Sequence, residues 1–285
     1  MGGESLSLAE LVELHKPQLF QHFLQEHPQV DSLPLQAQLK IFRNHGINDQ
    51  TQFFRDEQVL SAFERLVLPS YPGSYVIHVA SVGCSTGQEP YSLLLRNWGI
   101  RKGLRIDACD VNRGNINTAA AGEYEVWTGT SSGDLKRFQA LEIDNLEEAF
   151  TLSEGRYKDT RHLRFTEESR GRIRFFVYDI LEERLPQTYD VVLLLNVLMH
   201  YSEKGREKII GHLFDSMHEG AWLMCEKSPL WDEERDRMVY RRWMEDISRL
   251  GFEKQRVILP EFFIPDQTLF SQIYRKREVL RVHTQ

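Results

Sequence analysis

Leu8, Leu11 and Leu14, then Leu39 and Phe42, then Phe63, Leu66 and Val67 recur at helical intervals, and Pro28 and Pro34 interrupt the series. Apolar positions so spaced line one face of a helix, and a proline ends the pattern. Residues 1–74 are therefore predicted to form a small helical domain. From Tyr75 the texture changes to apolar run, glycine turn, amphipathic segment, apolar run: SYVIHVASV, GCSTGQEP, YSLLLRNW, LRIDACDV. Short β-rich runs alternating with longer helical segments require a parallel sheet with crossover helices. Two further strands are marked, Arg172 to Tyr178 leading into Asp179 and Tyr189 to Leu195 leading into Asn196. The second is apolar on both faces, which suits a buried strand. A helix over Glu203 to Met217, a strand AWLMCEK, a helix near Glu233 to Leu250 and late strands complete an α/β, doubly wound, Rossmann-like domain over 75–285.

The interval from Tyr124 to Gly171 breaks this alternation. It holds Gly129, Gly133 and Gly155 and is too long for a simple strand-to-helix connection, so an inserted helix and a small subdomain near 145–172 are expected. Between Arg156 and Arg174 seven Lys and Arg stand against three Asp and Glu, a local +4 in a chain of formal net charge −7. A solvated surface and a contact surface for an acidic partner both fit that run.

Composition narrows the class. With 16 Phe, 10 Tyr and 5 Trp the chain can bury a core, which excludes disorder. Cys84, Cys109 and Cys225 are widely spaced without a C-x-x-C pair, so neither a disulfide framework nor a zinc ribbon is expected and no metal is called for. The acidic balance argues against a general nucleic-acid binder. No basic stretch leads into an apolar run at the amino terminus, and nowhere do ~18 apolar residues follow one another, so a cytoplasmic location without membrane insertion is expected.

The sharpest chemical signal is VASVGCSTGQEPYSL. A strand ending at Val82, followed by Gly83, Gly87 and a helix start, places a tight turn at the carboxyl edge of the sheet, where open α/β folds bind ligands. Its spacing is G-x-x-x-G, without the G-x-G-x-x-G pyrophosphate fingerprint or the Lys-Ser/Thr of a P-loop, and alone it also fits a purely structural turn. Asp110 ends the next strand, 23 residues after Gly87, where a carboxylate can accept both hydroxyl hydrogens of a ribose. Asp107 competes for that role if the strand ends earlier. Asp179 follows a third strand, where it can accept from an exocyclic amine, and Asn196 a fourth, with His200 and Tyr201 just beyond. Four strand ends of this kind on one edge point to an adenosine-bearing ligand. Without a diphosphate loop, S-adenosylmethionine is favoured over a nicotinamide cofactor.

At these residues a family resemblance emerges. The stretch NDQTQFFRD (Asn48 to Asp56), then LVLP, GCSTGQEPYSL, CDVNRGNINTAAAGEYE, FFVYDIL and YDVVLLLNVLMHY, in order from about residue 48 to about 228, resembles the CheR-type, S-adenosylmethionine-dependent chemotaxis-receptor glutamate methyltransferases. The resemblance implies a helical amino-terminal domain, a Rossmann-like catalytic domain and a small β-subdomain inserted before the strand that ends near Asp179. It implies that Arg55 reaches the cofactor's carboxylate with Thr51 nearby. Glu89, Asp110, Asp179 and Asn196 would line the rest of the pocket, beside Gly83, Gly87, Val111, Ile180 and Val197. Arg55, His200 and Tyr201 are the candidates nearest the chemistry. The implied product is S-adenosylhomocysteine, and the implied partner a glutamate-bearing signalling protein such as a chemoreceptor.

Methyl transfer from a sulfonium is an in-line displacement, and a glutamate side chain, with a reference pKa of about 4.3, is already ionised at neutral pH. Positioning is then the main demand. The sequence departs from the family where C-R-N-V-x-I-Y-F reads LLNVLMHY: Leu195 stands for an arginine and His200 for a tyrosine. Tyr201 can replace that tyrosine if the turn slips by one residue, His200 can serve another acceptor, or His200 can cap a helix. Residues 1–74 also carry five Lys and Arg against nine Asp and Glu, unlike the basic helix with which the family's first module meets acidic receptors. Two other readings therefore stand beside the first: an S-adenosylmethionine enzyme acting on a small molecule or another protein group, and a non-catalytic module that senses the cofactor.

Overall fold

The computed structural model describes residues 17–42, 51–99, 103–128, 138, 141, 145–225, 252–255 and 272–276. The helices expected over Leu8 to Leu14 and near Glu233 to Leu250 lie outside the described residues. The chain forms two compact units, Met1–Ile47 with Asp179–Gln285, and Asn48–Tyr178.

The first unit opens with helices α1 (Pro17–Glu26), α2 (Pro28–Asp31) and α3 (Leu35–Ile41). Pro28 takes the first position of α2, where its missing N–H leaves no helical bond unmade. Phe20, Phe23, Val30, Leu39 and Phe42 form a buried cluster in which Phe42 meets Phe20 at 5.2 Å and Phe23 at 5.4 Å between ring centroids. Leu39 and Phe42 are thus core residues, as their spacing requires.

The second unit starts with α4 (Glu57–Ala62), which widens into a π-type turn over Phe63–Val67 and a 3-10 turn over Leu68–Ser70. It continues through β1 (Ile77–Val82), α5 (Gln88–Arg96), β2 (Leu104–Asp110), α6 (Arg113–Ala121), β3 (Glu123–Trp127), β4 (Phe150–Glu154), β5 (Thr160–Phe165), α7 (Glu167–Gly171) and β6 (Ile173–Val177). Strand β2 pairs in parallel with β1 on one side and β6 on the other, so β1–α5–β2 is a βαβ unit. Asn112 caps α6, its side-chain oxygen accepting from the Gly114 N–H at 2.8 Å.

The irregular interval contains a second, antiparallel sheet in the order β3-β5-β4. Its inner residues join an aromatic core: Tyr91 of α5 stacks on Phe165 at 3.8 Å, and Phe53 meets Phe138 at 4.9 Å and Tyr124 at 5.1 Å. Each such pair contributes about 0.5–1.5 kcal/mol beyond its burial. Three of the seven basic residues between Arg156 and Arg174 are paired with acids: Arg164 with Glu123, Arg172 with Glu168 and Arg174 with Asp107. Part of the local +4 is therefore matched within the unit.

The first unit resumes with β7 (Tyr189–Leu194), a 3-10 turn over Leu198–His200, α8 (Glu203–Asp215), β8 (Met217–Cys225), β9 (Phe252–Gln255) and β10 (Gln272–Lys276). Strand β8 runs parallel to β7 and antiparallel to β10, which pairs antiparallel with β9. All six residues of β7 are buried, as expected of a strand covered on both faces. Ser202 caps α8 by accepting from the Gly205 N–H at 3.2 Å. Among the described residues no helix is long and apolar enough to cross a membrane.

Candidate cofactor site

The turn between β1 and α5 is held from several sides. The N–H groups of Gly83 and Cys84 both donate to the Cys109 carbonyl, at 2.8 and 3.0 Å, and the Gly87 N–H donates to the Cys84 carbonyl at 3.0 Å. The Ser85 N–H donates to Asp110 Oδ2 at 2.9 Å, while Asp110 Oδ1 accepts from the Asn112 N–H at 2.8 Å. Tyr124 closes the far side, its hydroxyl donating to the Thr86 carbonyl at 2.7 Å. Gly83, Ser85 and Gly87 have φ of +75°, +49° and +93°, so the segment coils through left-handed conformations. At Gly87 a Cβ would lie 2.8 Å from the Ala119 Cβ, which leaves glycine as the residue that fits between turn and α6.

The strand geometry separates the two competing aspartates. Strand β2 runs through to Asp110, and Asp107, inside it, is gripped by the Arg174 guanidinium, with Nε on Oδ1 at 2.9 Å. Asp107 is a structural partner, and Asp110 is the residue at the strand end. A carboxylate can accept about four hydrogen bonds, so the group that holds the turn also has the capacity to receive ribose hydroxyls. Glu89, in the first turn of α5, accepts from the Ser81 hydroxyl at 2.8 Å. Val111 is half-buried immediately after Asp110.

Arg55 belongs to the same unit. It is exposed, and Thr51 is half-buried, but the preceding Phe53 and Phe54 are 2% and 3% exposed and fix the base of the segment. The Phe54 N–H donates to Ser92 Oγ at 2.8 Å. From α5, Arg96 reaches Glu64 with Nε at 2.6 Å and a second nitrogen at 2.8 Å, and also pairs with Glu57. The hydrogen bonds it donates to Glu64 raise the Arg96 pKa and keep that guanidinium charged.

The thiols near the turn, Cys84 and Cys109, are buried. Burial, followed by the Asp110 charge, pushes Cys109 up to about 12, and the same two causes raise Cys84 well above its ordinary value. Burial likewise raises the Tyr124 hydroxyl, which stays protonated and can serve as a donor to Thr86.

The remaining candidates lie in the other unit. Asp179 Oδ1 accepts from the Leu181 N–H at 3.0 Å, and the buried Ile180 presents its carbonyl to His212 Nδ1 at 2.6 Å, so that nitrogen carries the hydrogen. Asn196 follows β7 with φ of +61°, a conformation that asparagine tolerates better than most side chains. Val197 and Leu195 are buried. His200 ends the 3-10 turn half-buried, whereas Tyr201 is 7% exposed and its carbonyl accepts from Arg206 at 2.7 Å.

The donor set of the second unit fits an adenosine joined to an amino acid: a carboxylate at a strand end for a ribose, a second carboxylate at a helix start for an ammonium, and a guanidinium for a carboxylate. Sequence reasoning missed Ser81, Ser92 and Tyr124. The two serines lie at positions 81 and 92, on either side of the turn, but their roles depend on pairings that spacing does not reveal. Tyr124 reaches the turn only through the fold of β3.

A family model described as "CheR methyltransferase, SAM binding domain" matches residues 49–238, about two-thirds of the chain. The "Probable biofilm formation methyltransferase WspC" of Pseudomonas aeruginosa is 28% identical over 172 residues, covering 56% of this chain and 37% of that protein. A chemotaxis protein methyltransferase of Listeria innocua is 26% identical over 176 residues, 60% of this chain and 61% of its own. Chemotaxis protein methyltransferase 1 of Pseudomonas aeruginosa is 26% identical over 193 residues, with 63% and 65% covered. The chain thus spans less than two-thirds of the length of each of these relatives.

Proposed function

The chain belongs to the CheR methyltransferase family, and on that premise we propose that it is an S-adenosylmethionine-dependent methyltransferase whose acceptor is a glutamate carboxylate on a chemoreceptor or related signalling protein. The observation that carries the reading is the turn from Gly83 to Gly87, braced by Asp110 and Tyr124 and joined through α5 to the Phe53–Arg55 segment.

Bound in this site, S-adenosylmethionine supplies an electrophilic methyl on a sulfonium. The Arg55 guanidinium binds the amino-acid carboxylate, where its planar fork fixes orientation as well as charge. Glu89 receives the ammonium group and Asp110 the ribose hydroxyls. Asp179, Ile180, Asn196 and Val197, in the other unit, are residues that the family resemblance assigns to the rest of the pocket. An ionised glutamate needs no base, so the work of these residues is to hold and orient rather than to move a proton. His200 in the place of a tyrosine supports a second reading, in which the acceptor is a hydroxyl or amine that must lose a proton.

Tritium transfer from labelled S-adenosylmethionine to receptor fragments tests the proposal. Label released by mild base as methanol supports the glutamyl ester. Base-stable label on protein or small molecule supports the second reading. Cofactor binding without transfer to any acceptor leaves the sensing module.

A further inference from the structure

Phe54 has a φ of +54°, and the other non-glycine residues with positive φ among the described ones are Ser85, Asn145 and Asn196. A large aromatic side chain resists that conformation, and it persists only where the surroundings impose it. Here the surroundings are specific. The Phe54 N–H donates to Ser92 Oγ at 2.8 Å in a buried setting, and the same hydroxyl donates to the Gln88 carbonyl at 2.6 Å. Gln88 opens α5 directly after Gly87, and Ser92 is 2% exposed. The Phe54 ring is held edge-on against Phe138 at 5.2 Å. One buried hydroxyl therefore bridges the residue before Arg55 and the first helical turn after the glycine loop.

We infer that Ser92 is a positioning residue for cofactor binding: its hydroxyl anchors the Phe54 N–H, and with the packed Phe54 ring holding the left-handed φ this anchor fixes the direction in which the chain delivers Arg55. The inference rests on the reading of Arg55 as the partner of the cofactor carboxylate. A bidentate guanidinium–carboxylate contact tolerates little displacement of its base. Relaxing φ at Phe54 to a negative value would rotate the peptide that carries Arg55. Ser92 acts through Arg55 and need not touch the ligand.

The test is a double-mutant cycle read by calorimetry with S-adenosylhomocysteine. Ser92→Ala is expected to weaken binding roughly five- to tenfold in the wild-type background, the size of one buried hydrogen bond, and to add less than about twofold in the Arg55→Ala background. Equal weakening in both backgrounds, or none in either, would overturn the inference while leaving the Arg55 reading intact. Unchanged affinity in Arg55→Ala alone would remove that reading and the inference together. A measurement on the wild-type chain covers the case in which Ser92→Ala does not fold. The Phe54 amide is expected to be protected from hydrogen exchange and to gain protection when S-adenosylhomocysteine binds, because the coupling is reciprocal. Protection indifferent to the ligand would overturn it.

Discussion

Arg174 closes on Asp107 with two parallel contacts, Nε to Oδ1 at 2.9 Å and a terminal nitrogen to Oδ2, across neighbouring strands β6 and β2. That pair assigns distinct roles to two carboxylates three residues apart. Asp107 is committed to the sheet, and Asp110 at the strand end is committed to the turn. Asp107→Asn is expected to lower stability by about 1 kcal/mol, a small figure because the Arg174 side chain is 59% exposed and solvent screens the pair. Its affinity for S-adenosylhomocysteine should stay within about twofold of wild type. Asp110→Ala is expected to weaken that affinity by ~1–3 kcal/mol. Calorimetry and urea unfolding of the two variants separate the roles, and an affinity loss confined to Asp107→Asn would reverse the assignment.

Arg55 is exposed on an anchored base, so its loss should cost binding rather than fold. Arg55→Ala is expected to reduce cofactor affinity by ~1–3 kcal/mol with little change in melting temperature. Arg55→Lys should recover part of the loss, since an ammonium keeps the charge but cannot offer the planar fork. Titration calorimetry with thermal unfolding checks both variants. Wild-type affinity in Arg55→Ala would remove the residue from the site.

Much of this was legible in the sequence because the signals were local. The ends of β1, β2 and β7 follow from apolar runs that stop near glycine or a polar residue, and the structure places them at Val82, at Asp110 and, one residue before the expected Leu195, at Leu194. The sequence put Asp110 first, but the partner that occupies Asp107 was not legible, because it is Arg174, 67 residues further along the chain. The brace from Tyr124 to Thr86 spans 38 residues and was hidden for the same reason. The interval containing β3, β4 and β5 resisted reading because its core is aromatic and shared: Phe53, Tyr91, Tyr124 and Phe165 come from separate segments and show no periodicity together.

Gly87→Ala introduces a methyl at φ +93°, 2.8 Å from the Ala119 Cβ. The backbone strain and the collision with a helix each destabilise, and together they are expected to cost ~2–4 kcal/mol. Urea unfolding measures the loss. A substitution of that size accepted without a shift in the midpoint would mean that the turn departs from this geometry.

The buried thiols give a pH dependence of defined sign. In the fold Cys109 keeps its proton up to about 12, whereas the ordinary thiol value is 9.0, so the unfolded chain releases the proton first. Stability from this source is constant below about pH 9 and falls as pH rises towards about 12. Burial raises the hydroxyls of Tyr91 and Tyr124 above their ordinary 10.0, which adds to the decline in the same direction. Urea midpoints at rising pH should therefore decrease above about pH 9, and less steeply in Cys109→Ala. Native protein at pH 8.5 should also resist iodoacetamide at Cys84 and Cys109, which are both buried. Rapid labelling of either thiol in folded protein would contradict the buried, protonated state.

His200 and Tyr201 differ in exposure in a way that bears on the acceptor. Tyr201 is 7% exposed, and its backbone carbonyl is tied to Arg206 at the start of α8; His200, one residue earlier, is half-buried at the end of the 3-10 turn. A side chain that meets a large acceptor has to be reachable, which favours His200 over Tyr201 for that contact. His200→Ala is accordingly expected to lower kcat by about 10²-fold or more where the acceptor must lose a proton, and by less where His200 only meets an ionised carboxylate, while cofactor affinity changes by less than about twofold. His200→Tyr restores the residue type of the family pattern, and its effect depends on what the acceptor requires. If the acceptor is a glutamate carboxylate, which arrives without a proton, the tyrosine variant should keep most of its turnover. If the acceptor must lose a proton, the tyrosine variant should be as slow as alanine, because a phenol with a pKa near 10 is a poor base at neutral pH. Steady-state rates for the wild type and the two variants across pH 6 to 9 distinguish these outcomes, and equal kcat in all three would reduce His200 to a residue of the turn alone.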